Sequence, residues 1–192
     1  MVDFESFIDI YERINLKLWK LYDVRLISKE ELRYKRFQET FLFFKFDNLD
    51  LAKQWAGEYL QISPYKTHLK EGAIDILLYL KTTYQLHIIT NGFKEVQHIK
   101  LNQCQLAPFF QKIVISEEYG FSKPDIKIFD LAQKLSMAKP HECVMIGDNY
   151  ETDILGALNA KWKAIYVSDS DKENDNCDYF QVNRLMDLKN LL

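Results

Sequence analysis

Six residues of this chain have the types and the order that phosphate chemistry requires: Thr90, Asn91 and Gly92, then Lys123, then Asp148 and Asp153. The apolar run Val144-Met145-Ile146 stops at Gly147 and is followed by Asp148-Asn149-Tyr150-Glu151-Thr152-Asp153. That pattern reads as a buried strand presenting carboxylates at its carboxyl end, with a helix starting at about Thr152. In open α/β sheets, ligands bind in the crevice beyond the carboxyl ends of the strands. Hard carboxylate oxygens there suit Mg²⁺, which takes one or two protein carboxylates and keeps several waters. Thr90 ends a second apolar run just before Asn91-Gly92. A hydroxyl and free backbone N–H groups then face the same crevice as a small phosphate cradle. Lys123 precedes Pro124 in a loop and can neutralise a phosphate oxygen or a negative intermediate. Each signal alone has a plain alternative. Thr-Asn-Gly makes turns, a loop lysine is usually solvated, and an acidic residue at a helix N-terminus answers the helix dipole.

The elements that must position these residues follow from periodicity. Phe4, Phe7, Ile8, Tyr11, Ile14, Leu18 and Trp19 recur at helical spacing. Ser28 and Glu31 form a capping-box pattern ahead of Leu32, Phe37, Phe41 and Phe44. Asn48 can cap a third helix, which Ser63-Pro64 ends. Residues 1–66 therefore form an all-helical unit. From 67 to 192 strands alternate with helices: strands over Leu86–Thr90, Ile113–Ser116, Cys143–Ile146 and Ala164–Val167, and helices over Gly72–Leu80, through Val96 and Ile99 to Leu101, Ile126–Leu135 and Ile154–Ala160. Glu117–Pro124 is expected to be a loop, and Asp187–Leu192 a short closing helix. Such alternation implies a Rossmann-like α/β core with a parallel sheet.

Composition narrows the function classes. The chain has 192 residues, 47% hydrophobic and 28% charged, with a formal net charge of -3. No broad basic surface is implied, which disfavours a nucleic-acid polymer as partner. Cys104, Cys143 and Cys177 lack metal-ligand spacing, and an odd count argues against a disulfide framework; reduced thiols in the cytoplasm are expected. No apolar run approaches the roughly 20 residues of a membrane span. The Met-Val-Asp-Phe-Glu start has no signal-peptide character. The 13 Phe and 11 Tyr are expected mainly in cores. Trp19, Phe37, Phe41 and Trp55 of the helical unit are therefore read as packing residues ahead of base contacts.

Taken together, the strand ending Thr90-Asn91-Gly92, then Lys123-Pro124, then Gly147-Asp148-Asn149 with Asp153 resemble the later three motifs of the haloacid dehalogenase (HAD) superfamily. The resemblance covers nearly the whole chain, and the helical third is similar to that family's cap. His87-Ile88-Ile89-Thr90-Asn91-Gly92-Phe93 and Met145-Ile146-Gly147-Asp148-Asn149 look most like the branch containing the pyrimidine 5′-nucleotidases. The resemblance implies a hydrolase of small phosphorylated metabolites in which one aspartate attacks phosphorus and another, two residues on, serves as acid and base. It implies Asp148 as direct Mg²⁺ ligand, and Asp153 as support for the metal shell or as holder of Lys123. Thr90 and the Asn91-Gly92 amides would bind phosphate oxygens, and Lys123 would steady nucleophile and phosphate. Carbon–halogen cleavage needs no metal and leaves the Asp148/Asp153 pair without its main reason.

One departure stands out. The family's first motif is a strand ending Asp-x-Asp-x-Thr or Val, and it is absent. Asp3 has no preceding strand, Asp47-Asn48-Leu49-Asp50 lies between helices, and Asp169-Ser170-Asp171 follows the last expected strand. By family topology that strand is central, between those ending at Thr90 and Gly147. Its absence leaves backbone groups unpaired on both neighbours, at roughly 1–3 kcal/mol per buried orphan. Three arrangements remain open: a truncated phosphatase, which is the favoured expectation and would be inactive alone; a gap filled by another segment or molecule, including self-association; or direct closure of the two flanking strands. A non-catalytic remnant that binds phosphate or a partner protein is the alternative function.

Overall fold

The computed structural model describes residues 2–169 and 178–192. The chain divides into two compact units, Met1–Lys66 and Thr67–Leu192.

The first unit is three helices, α1 (Phe4–Asp23), α2 (Lys29–Phe43) and α3 (Leu49–Ile62), then a 3-10 turn at Ser63–Tyr65. Local side chains set every start. Asp3 accepts from the Ser6 amide, Ser28 and Glu31 close a full capping box, and Asn48 accepts from the Leu51 amide. Each satisfies a donor that the first helical turn leaves open. The core is aromatic: Phe37 and Phe41 are buried with Ala52 and Ala56, and Phe7, Tyr11, Tyr34 and Leu51 pack on them. Trp55 stands edge-on to Phe41 at 5.1 Å and to Phe37 at 6.1 Å, while Trp19 packs edge-on to Tyr22. Arg36 is buried, with its guanidinium 4.4 Å from the Tyr59 ring centroid. Burial pushes the Tyr11 phenol up to about 12.

The second unit contains α4 (Ala73–Leu80), β1 (His87–Thr90), α5 (Lys94–Gln103), β2 (Lys112–Ile115), α6 (Ser116–Tyr119), α7 (Ile126–Ser136), β3 (Val144–Gly147), α8 (Leu155–Asn159), β4 (Lys163–Val167) and β5 (Phe180–Val182). All pairings are parallel. β1 pairs β2 from His87↔Lys112 to Thr90↔Ile115; β3 pairs β4 from Val144↔Lys163 to Gly147↔Tyr166; β4 pairs β5 from Ile165↔Phe180 to Val167↔Val182. Strand alternation sends side chains to two faces. Ile89, Val114, Met145 and Ala164 join Ile128, Phe129 and Ala132 of α7 and Ala157 of α8. Leu86, Val144, Ile146 and Ile165 join Ile76 and Leu80 of α4 together with Leu188. Helices thus cover both faces, as a parallel layer needs.

The layer is not continuous. Among the described residues, β1-β2 is a two-stranded sheet and β3-β4-β5 a three-stranded one. Direct closure of β1 onto β3 is therefore corrected: no pairing joins them. Three local expectations also change. The segment after β2 is not a plain loop, because Ser116–Tyr119 winds into one helical turn closed by Gly120 at φ 77°. The expected helix at Thr152 begins earlier, as a π-helical turn over Tyr150–Ile154, because Asp153 folds back onto Asn149. A fifth strand, Phe180–Val182, follows β4, and the closing helix is a 3-10 segment over Leu185–Asn190. Both are short, and three residues carry too little alternation to read.

Candidate active site

Lys123 is the centre of the junction at the carboxyl ends of β1 and β3. A loop lysine is ordinarily solvated, yet this one is only 8% exposed. The Asn91 side chain clamps its backbone from β1: Nδ2 donates to the Lys123 carbonyl and Oδ1 accepts from its amide, each at 2.9 Å. Its ammonium donates to Asp153 Oδ1 at 2.5 Å. Asp153 is 3% exposed, and its other oxygen accepts from the Asn149 amide at 3.1 Å. The Thr152 hydroxyl donates to Oδ1 at 3.4 Å. Asn149 in turn accepts from the Thr152 amide and caps the turn. A buried ion pair persists only when its remaining lone pairs and protons find partners, and here the Asp153 oxygens all do. The Lys123-Pro124 peptide is cis.

Gly147 makes this packing possible. A Cβ added there would collide with the Asp153 carboxylate. The strand must end in glycine for the following turn to fold its acid back under the loop lysine.

Thr90 lies across the junction. Its Oγ1 accepts from the Gly92 amide at 3.0 Å, so this amide closes a small turn and is not open to the crevice as expected. The hydroxyl proton remains to be donated. The side-chain clamp of Asn91 is not legible in the sequence, which points only to its backbone amide. Nothing in Thr-Asn-Gly spacing signals a partner 32 residues away.

The two aspartates are unlike one another. Asp148 has a side chain 72% exposed, with the Lys70 ammonium 3.8 Å from Oδ2. Asp153 is buried and engaged at both oxygens. Among the described residues no three His, Cys, Asp or Glu side chains gather into a metal-holding group. One accessible carboxylate at the carboxyl end of β3 nevertheless fits Mg²⁺, which takes one or two protein carboxylates and completes its octahedron with water and other oxygens. Asp148 is the residue able to hold it directly. Asp153 reaches that position only through the Asn149 backbone and Lys123.

The remaining sequence candidates lie apart or outside the description. Asp3 is a helix cap in the first unit, and Ser170, Asp171 and Cys177 fall outside the described residues. Cys104 and Cys143 are free thiols, and burial raises the pKa of Cys143. No helix among the described residues is long and apolar enough to cross a membrane.

Residues 9–167 match the family described as haloacid dehalogenase-like hydrolase. The chain is 30% identical over 191 residues to the pyrimidine 5′-nucleotidase YjjG of Escherichia coli (strain K12), covering 98% of this chain and 83% of that protein. It is also 30% identical over 178 residues to the pyrimidine 5′-nucleotidase PynA of Streptococcus pneumoniae (strain ATCC BAA-255 / R6), covering 91% and 73%. Its fold is similar to the magnesium-bound HAD-hydrolase YfnB of Bacillus subtilis, with a TM-score of 0.85 at 24% identity over 100% of this chain and 85% of that one. With the family match and the 30% identity both running over most of its length, the chain belongs to the haloacid dehalogenase-like hydrolases.

Proposed function

We propose that this chain is the phosphate- and Mg²⁺-holding part of a phosphomonoester hydrolase for small phosphate esters, with nucleoside 5′-monophosphates as the substrate class. The observation that carries this reading is the Lys123 junction. One buried ammonium is tied to the end of β1 through Asn91 and to the turn after β3 through Asp153. Phosphoryl transfer depends mainly on positioning and charge neutralisation. Asp153 takes one of the three ammonium donors and leaves others for phosphate oxygens. The Thr90 hydroxyl and the Asn91 amide would add neutral donors. Bound at Asp148, Mg²⁺ would neutralise phosphate charge. The substrate class is supported by the two relatives named as pyrimidine 5′-nucleotidases; the metal is supported by the magnesium-bound relative and by the exposure of Asp148.

The chain alone is expected to bind without rapid turnover. Its one Asp-x-Asp, Asp169 to Asp171, comes after β4 in the sequence, whereas the family's first motif precedes the cap. A split sheet at the catalytic junction favours the second reading too, a binder of phosphate or of a partner protein.

The deciding experiment uses purified protein of verified mass. Phosphate release from a panel of ribonucleoside, deoxyribonucleoside and sugar monophosphates is followed with Mg²⁺ and with chelator, beside calorimetric binding of the same compounds. Mg²⁺-dependent binding with negligible release supports the proposal. Rapid release shows that the attacking group lies within this chain and removes the claim of inactivity. Neither binding nor release removes the phosphate site.

A further inference from the structure

Each of the two aspartates after β3 has a lysine, and the two pairs differ in kind. Lys123 and Asp153 form a buried pair, with side chains 10% and 5% exposed. Lys70 and Asp148 form an open pair, 69% and 72% exposed, with the ammonium 3.8 Å from Asp148 Oδ2. A buried pair cannot part without leaving an uncompensated charge, whereas an exposed pair is held weakly and can exchange partners. The backbone sets the approach of Lys70. It stands in a turn ahead of α4, in which the Ala73 amide donates to the Lys70 carbonyl at 3.1 Å and Gly72 takes φ 73°. That left-handed conformation favours glycine. A Cβ on Gly72 would also collide with the Met186 side chain, so the turn is packed in place.

We propose that Lys70 is a second phosphate-binding lysine, which neutralises Asp148 while no metal is bound and turns to the substrate phosphate when Mg²⁺ takes that carboxylate. The inference rests on the reading of Asp148 as the metal-holding residue and adds to it a residue outside the motifs. An ammonium and a divalent cation at one carboxylate repel each other. In water, two unit charges about 4 Å apart interact by an energy equivalent to roughly fivefold in affinity. Lys70 therefore weakens Mg²⁺ binding when no anion is present. A phosphate dianion reverses the sign, because it accepts from the ammonium in a charge-assisted hydrogen bond and is attracted by both cations. Metal and phosphate then each tighten the binding of the other, as reciprocal coupling requires. The arrangement also favours a class of ester. A phosphate monoester offers three free oxygens and roughly two negative charges to Lys70, Lys123 and the metal. A diester has one fewer of each.

The test uses the full chain and titration calorimetry with magnesium chloride alone, with inorganic phosphate alone, and with each in the presence of the other. The variants are Lys70→Met, which removes the charge and keeps an unbranched side chain, and Lys70→Arg, which keeps the charge. Lys70→Met is expected to bind Mg²⁺ alone about three- to fivefold more tightly than the parent, and phosphate in saturating Mg²⁺ about three- to fivefold more weakly. Lys70→Arg is expected to restore the parental values, with the same Tm in all three proteins because the pair is exposed. Shifts of the same sign, or no shift in either titration, overturn the proposal and leave the Lys123 site standing. A Lys70→Arg variant that behaves like Lys70→Met overturns it as well, since charge is then not the cause. A parent that binds no Mg²⁺ in either titration removes the metal reading of Asp148 and this inference with it.

Discussion

The helical unit and the α/β unit solve the same problem with different reach. In the helical unit one opening amide of each helix is met from three residues away, by Asp3, Ser28 or Asn48. The core between them is a lattice of rings that needs no directional partner. In the α/β unit the decisive contacts join residues about 30 apart: Asn91 to Lys123, and Lys123 to Asp153. Among the described residues, β1 and β3 each pair with a strand on one side only. Local satisfaction makes the first unit tolerant, whereas the second stakes its active end on a few long-range polar bonds. The two can be set against each other by substitution.

The largest expected effect is Asp153→Ala. It leaves the Lys123 ammonium buried without its counter-charge, which costs about 3–5 kcal/mol. At roughly 2–4 °C per kcal/mol for a chain of this size, thermal unfolding should show a fall of roughly 6–20 °C. Asp148→Asn alters an exposed carboxylate and should move stability by less than about 0.5 kcal/mol while abolishing any Mg²⁺-dependent ligand binding. Equal stability losses in the two variants would dissolve the distinction between the aspartates.

Gly147→Ala acts on the same pair from the strand side. The added methyl meets the Asp153 carboxylate, so the turn must shift, at about 1–3 kcal/mol for overpacking. Phosphate affinity should fall alongside Tm, because Lys123 moves with Asp153. A Tm loss with unchanged phosphate binding would separate the ion pair from the ligand site.

What could be read from the sequence follows the same division. The capping box at Ser28 and Glu31, the Asn48 cap and the stop at Ser63-Pro64 depend on neighbours within a turn, and all three are present. The strands ending at Thr90 and Gly147 also show, because a short apolar run before a glycine or a turn is a local pattern. The site is harder. Residue types mark Lys123, Asp148 and Asp153; that Asp153 holds Lys123 is one of two roles offered by the family resemblance alone, and the structure pairs the two while Asp148 stays exposed. That division depends on the π-helical turn after Asn149 and on the missing Cβ at Gly147, and both are three-dimensional facts. It also weakens the argument that two aspartates at this point imply a metal: Asp153 has a reason to be acidic without one. That β1 and β3 do not pair among the described residues was expected only through the family resemblance, since no local pattern records which strands lie side by side.

Ser28→Ala probes the helical side. It removes the oxygen that accepts from the Glu31 amide, and cap losses of this kind cost about 1 kcal/mol. The deficit should be confined to the start of α2, visible as faster hydrogen exchange there with unchanged exchange in residues 86–90. Loss of protection in β1 as well would show that the two units share one cooperative transition.

The smallest effect is a difference in acid response. Glu31 accepts from Lys35 and from the backbone of Ser28, which holds its carboxyl at about 2, so its contribution is complete above about pH 4.5 and is lost only as pH falls toward 2. His87 works higher. Burial, with the Lys112 charge behind it, lowers its pKa below the usual 6.5. The unfolded chain takes up this proton near pH 6.5 while the folded chain resists it, so stability present above pH 6.5 is lost as pH drops below it. His87→Leu removes both the titration and two unpartnered ring nitrogens. The variant should gain a few tenths to about 1 kcal/mol at pH 7. Its advantage over the parent should widen as the pH falls from 6.5 to 5, read from denaturant midpoints at each pH. An advantage that stays constant over that range would mean the imidazole reaches water in the folded chain, and β1 would then be no more acid-sensitive than the capped helices.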